Sequence, residues 1–124
     1  MEKQRIMVVE DDPNILELVR HSLAREGYRA ICFDTGEKLL PAAGIDPPAL
    51  VILDLMLPGI QGLEVCRLLK QEPKTRGIPI VILTAKGQDA DREEAFVLGA
   101  ADFLTKPFSP KKLLARINEL VDTP

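Results

Sequence analysis

Apolar residues in this chain fall into short solid runs, separated by stretches in which they recur every three or four positions. The solid runs cover residues 5–9 (Arg-Ile-Met-Val-Val), 28–33, 49–53 (Ala-Leu-Val-Ile-Leu), 79–83 and 101–104. Their length and β-branched content predict strands. Between them the spacing turns helical. Ile15, Leu18, Val19 and Leu23 share a face, with Asp12 placed as N-cap, Pro13 at the first helical position and Gly27 as the stop. A short helix is predicted to begin at Asp34 or Thr35 and to fade by Pro41 and Gly44. Residues 60–71 carry Leu63, Cys66 and Leu69 at helical spacing, and a fourth helix over 89–98 ends at Gly99. Ser109-Pro110 opens the last helix, with Leu113, Leu114, Ile117, Leu120 and Val121 on one face.

Five successive strand–helix units predict an α/β fold, a parallel sheet covered on both faces and joined by right-handed crossovers. Residues 49–53 are apolar throughout, as a central strand buried on both sides requires. No internal repeat or low-complexity tract interrupts the pattern, and the ten prolines sit at helix starts and turns. With 124 residues, 46% of them hydrophobic, the expectation is one domain spanning 1–124.

Charge and cysteine content narrow the function classes. A net charge of −3 gives no reason to expect direct nucleic-acid or membrane binding. No apolar stretch approaches the roughly 20 residues of a membrane span. The first residues run straight into a strand without a secretory leader. Cys32 and Cys66 lack metal-ligand spacing and read as reduced thiols, which predicts a cytoplasmic protein. His21 lies among polar residues and reads as a solvated helix position.

Candidate chemistry gathers where the strands end. The first strand runs into Glu10-Asp11-Asp12, the third into Asp54, the fourth into Thr84, and the fifth into Lys106-Pro107. In an open parallel sheet these strand ends form the ligand-binding edge. Asp12 serves as a helix cap, but three consecutive acids exceed what a helix start needs. Carboxylates there can bind Mg2+ directly or through its waters. A buried strand that runs into a lone carboxylate demands a partner, which Mg2+ or Lys106 can supply, and an aspartate nucleophile can form an acyl phosphate. Thr84 alone signals little beyond a turn. Lys106 is a mobile point charge suited to a phosphoryl oxygen, and Pro107 allows a cis peptide bond that would direct it.

Four stretches together resemble the response-regulator receiver domain of two-component signalling: Val-Val-Glu-Asp-Asp (8–12), Leu-Asp-Leu-Met-Leu-Pro-Gly (53–59), Ile-Leu-Thr-Ala (82–85) and Gly-Ala-Ala-Asp-Phe-Leu-Thr-Lys-Pro-Phe (99–108). The resemblance covers essentially the whole chain. It implies a chemotaxis-regulator-like, three-layer αβα fold with flavodoxin-like strand order 2-1-3-4-5 and five helices. It implies that Asp54 accepts a phosphoryl group from a histidine kinase or phosphotransfer protein. Glu10 and Asp11 would be the acidic pair for Mg2+, joined by Asp54 and by the backbone carbonyl of Met56. Thr84 would hydrogen-bond the attached phosphoryl group, and Lys106 would ion-pair with it. Phe103 falls at the aromatic switch position, where the family often has Tyr. The ring is expected to move inward as Thr84 turns toward the phosphoryl group, repacking the face formed by helix 4, strand 5 and helix 5.

The motif set is closest to receivers that are paired with a winged-helix DNA-binding domain. No such segment lies within these residues, so a stand-alone receiver and one domain of a longer protein, with an output domain beyond Pro124, are both expected forms. Receivers of that subfamily often dimerise through cross-subunit ion pairs, and Asp102 with Arg116 could form one. Lys112, however, stands where an acid usually faces the arginine at position 92, so at most a weak homodimer is expected. Three other readings compete. A haloacid-dehalogenase-type phosphohydrolase would place a second Asp at the position held by Met56. A nucleotide-binding Rossmann domain would need a glycine-rich loop where Glu-Asp-Asp-Pro stands. A degenerate receiver acting only as a protein-binding module is the remaining alternative, and the intact acids, Thr84 and Lys106 speak against it.

Overall fold

The computed structural model describes residues 4–85 and 88–121. The expected domain span of 1–124 therefore includes residues 1–3, 86–87 and 122–124, which lie outside the described residues. The elements alternate as β1 (Arg5–Val9), α1 (Pro13–Arg25), β2 (Arg29–Phe33), α2 (Gly36–Ile45), β3 (Leu50–Leu53), α3 (Gly62–Gln71), β4 (Ile80–Thr84), α4 (Asp89–Val97), β5 (Asp102–Thr105) and α5 (Pro110–Val121). All strand pairs are parallel, and the sheet order is β2-β1-β3-β4-β5. This is the five-stranded, doubly wound α/β sheet that the alternation and the resemblance predicted.

Two apolar layers cover the sheet. On one face, Met7, Val9, Val51, Leu53, Ile80 and Ile82 pack with side chains of α2, α3 and α4. On the other, Ile6, Val8, Leu50, Ile52, Val81 and Leu83 pack with Val19 and Leu23 of α1 and with Leu113 and Ile117 of α5. The alternation of side chains along each strand divides them between the layers. Every residue of β3 is buried, which confirms it as the central strand.

Most boundaries moved by one or two residues, but one difference is larger. Helix α2 does not fade at Pro41. It runs ten residues, through that proline, from a cap in which Thr35 Oγ1 accepts from the Lys38 amide. Proline removes one helical hydrogen bond, and the full burial of Leu39 and Ala43 on either side holds the helix across the gap. Helix α3 begins at Gly62 rather than at residue 60, because Ile60 belongs to the loop that follows Asp54. Leu18, expected on the apolar face of α1, is instead 42% exposed.

Candidate functional site

The register brings the acids together. Val9 of β1 and Leu53 of β3 are paired Cα neighbours, so Glu10 and Asp54 leave adjacent strands side by side. The Asp54 amide donates to the Val9 carbonyl at 3.2 Å. Thr84 of β4 pairs with Thr105 of β5, and the Lys106 amide donates to the Thr84 carbonyl at 2.8 Å. The Lys106–Pro107 peptide is cis.

Lys106 Nζ bridges two carboxylates, 2.6 Å from Glu10 Oε1 and 2.9 Å from Asp54 Oδ2. Glu10 is 3% and Asp54 5% exposed, so both charges sit in a nearly dry site. The remaining oxygens are also held. Asp54 Oδ1 accepts from the Met56 amide at 3.1 Å, and Glu10 Oε2 accepts from the Asp12 amide at 3.1 Å. Asp12 itself turns away as the cap of α1, accepting from the Asn14 and Ile15 amides. That leaves Asp11, exposed, as the third acid at the site. Carboxylate oxygens of Glu10, Asp11 and Asp54 all lie within 4.8 Å of one another. An all-oxygen, all-anionic donor set suits a hard divalent cation such as Mg2+.

Burial pushes the Glu10 carboxyl above its ordinary range, and the nearby Asp54 charge adds to this, against the hydrogen bonds from Lys106 and the Asp12 amide. Burial works to lower the Lys106 ammonium, but hydrogen bonds and charges from Glu10 and Asp54 outweigh it and hold the lysine above its usual value. A group whose folded pKa is raised contributes stability below its unfolded pKa and loses it as pH rises through the folded value. For Glu10 that contribution falls away as pH rises through its raised value.

Thr84 is fully buried, and Phe103 is 2% exposed. The ring of Phe103 is thus already inside, so an inward swing from a solvent-exposed position is not available from this conformation. Arg92 closes over it. The guanidinium lies 5.8 Å from the Phe103 ring and 5.6 Å from that of Phe96, and Nη1 donates to the Phe103 carbonyl at 3.3 Å. Asp102 and Arg116 pair at 2.8 Å within the chain. Cys32 and Cys66 are free thiols, as expected, and His21 is exposed on α1.

Sequence reasoning gave no role to three residues that shape the site. A Cβ on Gly62 would stand 2.6 Å from Leu55 Cα and inside contact distance of the Asp54 carbonyl, so α3 lies directly on the Asp54 backbone. The Gly62 amide seals this contact on the Leu55 carbonyl at 3.0 Å. Gly59, at φ +73°, turns the loop after Asp54, and Glu37 of α2 accepts from the Ile60 amide beside it. The glycines at 59 and 62, three residues apart just after a strand-end carboxylate, were the available signal.

Comparison with known proteins agrees with this geometry. The model of the response regulator receiver domain matches residues 6–118. The alkaline phosphatase synthesis transcriptional regulatory protein PhoP of Bacillus subtilis is 40% identical over 118 residues, covering 95% of this chain and 48% of that protein. The DNA-binding response regulator MtrA of Mycolicibacterium smegmatis is 44% identical over 115 residues, 93% of this chain and 49% of that protein. The chain thus spans about half the length of these curated relatives. The crystal structure of a response regulator from Chloroflexus aurantiacus superposes with a TM-score of 0.92 at 32% identity, covering 98% of this chain and 99% of that one. By family model, relatives and fold alike, the chain belongs to the response-regulator receiver domains of two-component signalling.

Proposed function

We propose that Asp54 accepts a phosphoryl group from a phosphohistidine on a sensor kinase or phosphotransfer protein, and that the change is read out on the face of α4, β5 and α5. The observation that carries this is the Asp54 carboxylate itself, nearly buried at a strand end, 2.9 Å from Lys106 Nζ and clustered with Glu10 and Asp11. Mg2+ held by Asp11, Asp54 and the Met56 carbonyl, with Glu10 acting through water, would supply positive charge for the phosphoryl oxygens. The chain's own residues do the rest. An Asp54 carboxylate oxygen forms a bond to phosphorus as the phosphorus–nitrogen bond breaks and the histidine keeps the electron pair. Alignment and charge neutralisation are most of what such a transfer requires. Lys106, already on Asp54, neutralises an added phosphoryl oxygen, and the Thr84 hydroxyl donates to another. The new group brings up to about two negative charges to one point. Thr84 then draws on β4, and the buried Phe103 ring and Arg92 carry the change to α4.

In this reading the domain is a signalling switch that catalyses only its own phosphorylation and slow dephosphorylation. Its setting is the cytoplasm, where kinase and receiver meet, and no described helix is long and apolar enough to cross a membrane. An output domain beyond Pro124 fits the greater length of the relatives, one named a transcriptional regulatory protein and the other a DNA-binding response regulator. Asp102, Arg116 and Arg92 are all engaged within the chain, which favours a monomer or weak dimers.

Treatment with a small phosphodonor and Mg2+, followed by intact-mass measurement, tests the proposal. Wild type should gain one phosphoryl group and Asp54→Asn none. Asp11→Ala should keep its fold but bind Mg2+ at least about 10-fold more weakly, since loss of supporting partners alone costs that much at metal sites. An Asp11→Ala protein with wild-type Mg2+ affinity would reduce the acidic stretch to a helix start.

A further inference from the structure

The loop between β3 and α3, residues 55–61, carries Met56 and must hold still beside Asp54 for the proposed metal to have a fixed backbone ligand. Two of its tethers are local, the Met56 amide on Asp54 Oδ1 and the Gly62 amide on the Leu55 carbonyl. A third comes from elsewhere in the chain. Glu37, in the first turn of α2, accepts from the Ile60 amide through Oε2 at 3.1 Å.

The surroundings are shaped for that contact. Gly36 brings the start of α2 close, because a Cβ there would stand 2.8 Å from Ile60 Cγ2 and nearer still to Val65. Gly59 receives the carboxylate, because a Cβ there would stand 3.0 Å from Glu37 Oε1 and closer to Oε2. Its φ of +73° also presents the next amide in a conformation that side chains rarely adopt. Two glycines and one acid, from two separated segments, converge on a single amide. Glu37 is exposed, and surface burial gives no reason for such convergence.

We propose that Glu37 is a positioning residue for the Asp54 site, clamping the β3–α3 loop through the Ile60 amide so that the Met56 backbone is set for a divalent cation. The proposal rests on the phosphoacceptor reading above. Groups that orient the ligands of a metal are worth about 10- to 100-fold in affinity. Glu37→Ala should therefore weaken Mg2+ binding about 10-fold, at the low end because the clamp acts from outside the cluster. Glu37→Gln keeps an acceptor oxygen for the amide and should bind close to wild type.

Mg2+ titrations followed by amide chemical shifts of residues 54–60 decide it, with denaturation curves showing each variant folded. A wild type that binds Mg2+ beside a Glu37→Ala that binds equally well would overturn the clamp alone. Loss in Glu37→Gln as large as in Glu37→Ala would also overturn it, since charge rather than the hydrogen bond would then matter. A wild type that binds no Mg2+ would overturn the phosphoacceptor reading and the clamp with it.

Discussion

Lys106→Ala is expected to destabilise the metal-free protein by about 3 kcal/mol and to leave it unresponsive to phosphorylation. Lys106 is the cation bonded to both buried carboxylates, at 2.6 Å from Glu10 and 2.9 Å from Asp54. Removing one partner of a buried ionic group typically costs about 3–5 kcal/mol. The low end applies because the Lys106 side chain is 14% exposed and Glu10 can take up a proton. A small domain has about 5–15 kcal/mol to lose, so the variant still folds. Lys106 has a raised pKa, so its contribution is complete below the ordinary lysine value and lost only as pH rises through the raised one. The gap between wild type and variant should therefore hold at neutral pH and close in strong alkali. With the site more negative, Mg2+ should bind more tightly to the variant and recover part of the stability by mass action. Urea denaturation with and without Mg2+ measures both effects. Amide shifts of α4 with and without a phosphoryl mimic measure the response, and a wild-type pattern there would remove Lys106 from the switch.

Gly62→Ala is the second large effect, and it acts through backbone rather than charge. The added methyl group would meet Leu55 Cα at 2.6 Å and press on the Asp54 carbonyl and its carbon. Side chains can turn away from such a clash, but two backbone segments fixed by β3 and α3 cannot. Overpacking a tight contact costs about 1–3 kcal/mol, occasionally more, and the rigid partners here place the variant near 3 kcal/mol. Because the displaced atoms belong to Asp54 itself, Mg2+ affinity and phosphorylation should fall with stability. Gly44→Ala is the internal control. It lies in α2 with nothing near the added Cβ, and should stabilise by about 0.5–1 kcal/mol through helix propensity. Equal stabilities for the two variants would show that α3 does not lie on the Asp54 backbone as described.

The parts of this molecule that were legible in its sequence are those that one local pattern determines. The apolar run before Asp54 had to be a central strand, and all of β3 is buried. Strand order followed from the resemblance, and the convergence of Glu10, Asp54 and Lys106 followed from the strand ends, because parallel strands place their carboxyl ends on one edge. Features that depend on packing between distant segments were not legible. Pro41 reads as a stop, yet the burial of Leu39 and Ala43 carries α2 past it. Glu37 reads as one more acid on a helix start, and only the fold brings it to the Ile60 amide. Asp102 and Arg116 read as partners for another chain, and the structure pairs them within this one. The state of Phe103 was equally hidden, since burial of a ring beside Arg92 depends on how α4 lies over β5.

The central claim is that Asp54 carries the phosphoryl group as an acyl phosphate. Reduction of the phosphorylated protein with borohydride converts such an aspartate to homoserine, and peptide mass mapping then locates it. The account predicts homoserine at position 54 in wild type, dependent on Mg2+ and on the phosphodonor. Homoserine at Asp11 or Asp12, or a phosphoryl group that resists reduction and maps to a hydroxyl such as Thr84, would contradict it.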